Sequence, residues 1–462
     1  MINDGAVVTL DDESEHRMWR KVGFRILPLV GVAYIVSYID RANLGYIAKP
    51  MGADLSMTSA QIGLAAGLFF IGYILVEVPS NMMLHRFGAR LWISRIIVTW
   101  GIITMLTGAV HSAGQLYIAR ILLGFAEAGL AAGILLYLTF WFPKKQRTWA
   151  MSTFFLMIPL SGILGAPVAA ALLKWGQSVL GIEGWRSLFV VEGAVTVLVG
   201  IVILLFLPDR PSKAKWLNAA EKAHIEGVLA HETEQSVGHG ALTGMRQALL
   251  DKKVWALGFS FFAIVFGLYP IAFFLPTMIS NLTETIGSAG NVSSVLLAAI
   301  PSVAAMVAMV LWARVAAKKS IIFSTTVPMA CGAIGLVAAT FTQNGVLFII
   351  AVCVSVSGIY TAIPQFWRLP ALSMTGAAAA AGIGLINSMS NLSGFIGPYM
   401  TGAIETATGS YTYALLAIAV IMVLGIVVLL TAGRRAERIG SEEGGTSFHT
   451  DVTEPRLLTE NK

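Results

Sequence analysis

The chain has 462 residues, 56% of them hydrophobic and only 12% charged, with a mean hydropathy of +0.76. A soluble domain carries about a quarter charged residues, so this chain lacks the polar material to coat a water-soluble body of its size. Its formal charge of +6 sits in loops between apolar runs, where it reports membrane topology rather than a nucleic-acid surface.

The N-terminal stretch MINDGAVVTLDDESEHRMWRK is acidic, then basic. It has none of the pattern of a cleaved leader, so the first apolar run is expected to stay as a span. A bilayer core takes about 20 apolar residues per helix. Helices are expected because they satisfy their own backbone in lipid. That ruler predicts an all-α integral membrane protein with spans over 23–44, 60–82, 91–110, 115–139, 150–173, 186–207, 254–279, 291–313, 321–342, 345–367, 374–401 and 410–432.

Charge then sorts the loops. One set is basic: Arg17, Arg20 and Lys21; Arg86 and Arg90; Lys144, Lys145 and Arg147; the stretch from Arg210 to Lys253, including Arg246; Arg314, Lys318 and Lys319; and Arg434, Arg435 and Arg438. The opposite loops HSAG, SNLTETIGSAGN and QN hold no Lys or Arg. Both termini are therefore expected in the cytoplasm. The expected organisation is a tail (1–22), a six-helix bundle (23–207), a cytoplasmic linker (208–253), a second six-helix bundle (254–432) and a tail (433–462). Within the linker, 218–230 predicts a short surface helix, because Asn218 and Glu221 have capping-box spacing and Ile225 and Leu229 share a face. The tail from Gly440 reads as disordered. Cys331 and Cys353 fall in apolar runs and are expected as reduced core thiols. Two bundles joined by a linker is the layout of transporters built from repeated halves, whose sites lie at the bilayer midplane between them.

Few ionisable residues interrupt the spans. The first has Asp40 and Arg41; the fourth has Arg120 and Glu127. Each charge at a helix centre costs roughly 2.5–3.5 kcal/mol, so such residues face a bundle interior or a watery cavity. Arg120 and Glu127 lie on one face of the fourth span, roughly 10 Å apart along its axis, with Tyr117 and Gly124. Tyr34, Tyr38 and Arg41 form one stripe of the first span. Asp40 is turned about 100° away and lines up with Ser37, so acid and base cannot face the same way. One arrangement aims Arg41 at a central cavity and Asp40 at a neighbouring helix. These charges could serve only as ion pairs locking helices together. The functional reading is that Arg41 binds an anion while Asp40 and Glu127 take up and release protons, since burial and a nearby guanidinium act on a carboxyl in opposite senses.

Other polar residues carry weaker signals. Glu77 precedes the basic RFGAR stretch and reads as a gate residue or as helix-end solvation. Glu192 has no evident partner. Tyr73 reads as a packed interfacial tyrosine or as a cavity-wall residue, and Tyr269, before Pro270, is a further candidate for that wall. AIPQFWRLP puts Gln365 and Trp367 near a proline break, and NSMSNLSGFIGP puts Asn387 and Asn391 one turn apart. Two asparagines on one face can join helices or hydrogen-bond a sugar. Prolines and glycines in MIPLSGILGAPVAA suit close helix approach and bending. No phosphate-cradling loop, His-Glu-x-x-His or paired-cysteine site is present. The chain is therefore expected to be no enzyme, to need no cofactor or metal, and to run on ion gradients.

YIDRANLG, EVPSNMMLHRFGAR, ARILLGFAEAG, GWRSLFVVEG, FWRLP and NLSGFIGP occur in order. Together they resemble the anion:cation symporter family of the major facilitator superfamily, over residues 17–435 or so. That family includes bacterial galactonate, glucarate, tartrate and phthalate permeases and the animal sialic acid and vesicular glutamate carriers. The resemblance implies twelve spans, alternating access and proton-coupled import of organic anions. By motif, Arg41 matches the arginine that binds the substrate carboxylate, Asp40 and Glu127 the protonatable pair, and Arg120 the partner of the span-four acid. Tyr38, Tyr73, Trp367, Asn387 and Asn391 fall at cavity positions. The loop after the second span departs from the superfamily pattern, with Asn81 in the Gly place and His85 in the Asp place. Glu77 or backbone carbonyls are then expected to hold Arg86 and Arg90 as gate residues.

The expected activity is proton-coupled uptake of a sugar acid or hydroxy-dicarboxylate across the inner (plasma) membrane. Uptake of an aromatic carboxylate and proton-independent anion exchange stand as alternatives. The partners are a small organic anion, protons and membrane lipid; no nucleic acid is expected, and the protein is expected to act as a monomer. A nutrient sensor on this fold would need a larger cytoplasmic extension than the linker and tail provide.

Overall fold

The computed structural model describes residues 11–234, 249–284, 291–373 and 376–433. Arg246, the loop at 285–290, Arg434, Arg435, Arg438 and the tail from Gly440 lie outside the described residues. No strand occurs among the described residues.

Helix α1 (Asp12–Asp54) begins where Asp11 accepts a bond from the Ser14 N–H, and at 43 residues it overruns the predicted span at both ends. Helix α2 (Ser59–Phe87) starts with a complete capping box between Thr58 and Gln61. Then come α3 (Ala89–Thr107), α4 (Ala113–Glu127), α5 (Leu130–Thr139), α6 (Lys144–Phe155), α7 (Met157–Leu180) and α8 (Gly184–Phe206). The fourth span is thus in two pieces, as is the fifth. The fifth breaks at Leu156, where Pro159 cannot donate to the Phe155 carbonyl and crowds it.

A linker helix, α9 (Ala219–Glu234), follows. Its cap is the reciprocal pair Asn218–Glu221, and Lys21 of α1 donates to both Glu221 carboxylate oxygens. The second half comprises α10 (Lys252–Glu284), α11 (Asn291–Leu297), α12 (Ile300–Ala316), α13 (Ile321–Thr340), α14 (Gly345–Phe366), α15 (Arg368–Ser373), α16 (Gly376–Thr408) and α17 (Thr412–Val428). Among the described residues, eleven of the expected spans are long and apolar enough to cross a bilayer. The remaining one, α16, is 33 residues long but carries the polar run Asn387, Ser390, Asn391 and Ser393. Large apolar side chains such as Leu75, Leu106, Leu205 and Val420 are exposed around the perimeter, as a lipid-facing surface requires.

The two halves meet along α2 against α16, α1 against α10, and α7 against α11 and α12. Small residues bring the backbones together. A Cβ on Gly45 would stand 2.6 Å from the Ala272 carbonyl oxygen, and one on Gly63 or Gly402 would strike the carbonyl of Pro398 or Ser59. Cys331 and Cys353 are both free, but Cys331 is exposed rather than in the core. An apolar run in a span has a lipid side as well as an inner one, and Cys331 takes the lipid side.

Candidate functional site

Between the halves lies a cavity of about 70 Å³, walled by Tyr38, Arg41 and Tyr46 from one half and Tyr269, Ser302 and Tyr360 from the other. Arg41 is its only charged wall residue among those described. The Arg41 guanidinium donates twice to one oxygen of Glu127, from Nε at 2.9 Å and Nη2 at 2.7 Å. Ser37 Oγ donates to that same oxygen at 2.7 Å. Arg41 Nη1 reaches across to the Tyr269 hydroxyl at 3.4 Å. The rings of Tyr38, Phe69 and Tyr73 each have their centre 5.3 Å from the guanidinium carbon, an aromatic cage around the cation. The other Glu127 oxygen is buried with no hydrogen-bond partner.

The sequence explains where Glu127 stands. It is the last residue of α4, and the chain turns at Gly129, whose φ of +89° suits glycine alone. The Ser80 side chain occupies the place a Cβ would take. The helix therefore ends directly after the acid, beside α1 and α2.

Asp40 faces the other way. Its Oδ1 accepts from Thr104 Oγ1 at 2.9 Å and from Asn43 Nδ2 at 3.2 Å. The same Asn43 nitrogen donates to Glu192 Oε2 at 2.9 Å. The partner of Glu192 was missed in the sequence, although Asn43 stands three residues after Asp40, on the same helix face.

Three expectations need correction. Arg120 does not pair with Glu127. Seven residues of helix separate them by roughly 10 Å of rise, and Arg120 Nε instead donates to the Ala65 carbonyl at 3.3 Å with Phe69 beneath it. Glu77 does not hold Arg86 or Arg90. It spans the halves, accepting from Asn387 Nδ2 at 2.7 Å and Asn391 Nδ2 at 3.1 Å. A buried carboxylate takes the nearest uncharged donors, so those amides face Glu77 and do not line the cavity. Arg90 is held by backbone, donating from Nε to the Leu204 carbonyl, while its N–H meets Asp209; Arg86 lies over the Phe87 ring. Third, Trp367 does not line the cavity; it packs with Phe261 and Phe366 at ring distances of 4.9 and 5.9 Å. Gln365 accepts from Arg368. Tyr38, Arg41, Tyr73, Glu127 and Tyr269 do come together.

The chain matches the Major Facilitator Superfamily over residues 30–398. A provisionally named tartrate transporter of Agrobacterium vitis is 38% identical over 435 residues, covering 94% of this chain and 98% of the relative. A provisionally named metabolite transport protein of Pseudomonas putida, NicT, is 35% identical over 421 residues, covering 91% and 95%. Among solved structures, the proton:xylose symporter XylE of Escherichia coli superimposes with a TM-score of 0.71 at 16% identity, covering 89% of this chain and 96% of that one, a likeness of fold. Two helical halves around a buried cavity, with these relatives, define a multi-pass membrane transporter and not an enzyme. The chain belongs to the Major Facilitator Superfamily, and its relatives fit the anion:cation symporter group that its sequence resembles.

Proposed function

We propose that the protein imports an organic anion together with protons, by alternating access, and that the anion is a sugar acid or hydroxy-dicarboxylate of the tartrate type. The observation that carries this reading is the Arg41–Glu127 bond on the cavity wall. A substrate carboxylate that enters the cavity competes with Glu127 for the same guanidinium. Protonation of Glu127 weakens its hold and releases Arg41 to the substrate. Loss of the substrate on the far side lets Glu127 reclaim Arg41 and shed its proton. Asp40, on the reverse face of α1, supplies a second protonatable carboxyl. One proton offsets the roughly 2.3 kcal/mol per 100 mV that opposes entry of a monovalent sugar acid, and two offset the doubled cost for a dicarboxylate of the tartrate type. The identity of the Agrobacterium relatives supports a tartrate-like substrate. The basic loops support cytoplasmic termini in the inner membrane of a bacterium, and the unit of transport in this reading is a monomer.

The test is uptake into proteoliposomes under an inward proton gradient, with galactonate, glucarate, tartrate, phthalate and a hydroxybenzoate. Accumulation of a hydroxy-acid that disappears with Arg41→Lys supports the reading. Exchange of preloaded acid without gradient-driven accumulation sinks proton coupling. The three tyrosines around Arg41 also favour a second reading, an aromatic carboxylate. Preferential accumulation of phthalate or hydroxybenzoate would select it.

A further inference from the structure

We propose that Glu192 is a further proton-carrying residue of the coupling machinery, linked to Asp40 by Asn43; the inference rests on the proton-coupled reading above. Asn43 Nδ2 donates one hydrogen to Asp40 Oδ1 and one to Glu192 Oε2, at 3.2 and 2.9 Å. The two acceptor oxygens are therefore no farther apart than those two bonds laid end to end. All three side chains are buried, Asp40 at 1% exposure, Asn43 at 0% and Glu192 at 5%. Asp40 Oδ2, Glu192 Oε1 and Asn43 Oδ1 have no hydrogen-bond partner.

Among the described residues neither acid forms an ion pair; Arg41 is taken by Glu127. Thr104 and Trp100 face the pair from α3, Arg120 and Glu127 from α4, and Tyr46 from α1. Among the described residues, Arg120 is the one cation near Asp40 that is not already bonded to a carboxylate, and none stands beside Glu192. Two ionised carboxylates at this separation, away from water, repel each other, so the pair holds a proton. The two unbonded carboxyl oxygens are where it can reside. Asn43 has a carbonyl as well as an amide. It can accept from a protonated acid and donate to an ionised one, so it serves the pair in either arrangement. Once Asp40 has given up its proton during transport and the pair's one proton sits on Glu192, the O–H bond on Glu192 breaks and one forms on Asp40, leaving the negative charge on Glu192. Proton uptake at Glu192 restores the pair.

The experiment compares wild type, Glu192→Gln and Glu192→Asp in proteoliposomes with tartrate or whichever acid the wild type accumulates. Two quantities are read: gradient-driven accumulation, and exchange of preloaded acid at equal pH on both sides. The Gln variant, fixed in the neutral form, is expected to lose accumulation at least about tenfold while exchange persists, because exchange needs no net proton movement. The Asp variant, which retains the acid, is expected to restore part of the accumulation. Wild-type accumulation by Glu192→Gln overturns the proposal. So does parallel loss of exchange and accumulation, or equal loss in Gln and Asp, which is what a packing role gives. Failure of the wild type itself to accumulate any acid counts against proton coupling as a whole, and is told apart by that control.

Discussion

The two halves divide the work unequally. Among the described residues, every buried Asp, Glu and Arg of the spans belongs to the N-terminal half: Asp40, Arg41, Glu77, Arg120, Glu127 and Glu192. The C-terminal half answers with neutral groups, the hydroxyls of Tyr269 and Tyr360 and the amides of Asn387 and Asn391. Charge is costly in a span, so concentrating it in one bundle lets acids and bases offset one another. The partner half faces that bundle with no buried Asp, Glu or Arg of its own among the described residues.

Replacements can break that division. Arg41→Lys should have the largest effect. An ammonium cannot reproduce the two bonds to Glu127 together with the reach to Tyr269, and a disrupted buried pair costs about 3 kcal/mol or more. Uptake is expected to fall at least roughly a hundredfold, read as initial rate at saturating acid. Next come Asp40→Asn and Glu127→Gln, which keep shape and remove titration. Each should abolish accumulation under a proton gradient yet leave exchange measurable; accumulation by both variants would place the coupling elsewhere. On the neutral side, Asn387→Ala with Asn391→Ala strips Glu77 of its donors, at about 1–3 kcal/mol. Uptake should slow about five- to fiftyfold, and spin-label distances between α2 and α16 should lengthen. The smallest effect belongs to Lys21→Ala. Its pair with Glu221 is 40% exposed on the lysine side, and such pairs contribute about 0–1 kcal/mol. Transport within twofold of wild type is expected.

Much of this architecture was legible from apolar run length, because lipid leaves a helix few alternatives. The opposite facings of Asp40 and Arg41 followed from helical geometry alone. What the sequence hid was tertiary pairing. Glu127 chose Arg41 over Arg120 because of where α4 ends, and that depends on Gly129 meeting Ser80. The asparagines looked like sugar ligands because nothing local shows that Glu77, some three hundred residues earlier in the chain, stands opposite. Trp367 stands three residues from a proline on either side in the sequence, yet its ring packs against Phe261.

The small volume of the cavity has a consequence for affinity. About 70 Å³ admits a handful of waters, whereas a hydroxy-diacid has several times the bulk of one water. Where substrate binds only when the halves stand farther apart, the apparent Kd is the intrinsic one divided by the fraction of molecules in that state. A side chain at Gly45, Gly63 or Gly402 would press the facing backbone away and so alter that fraction. Affinity then depends partly on residues that never meet the substrate.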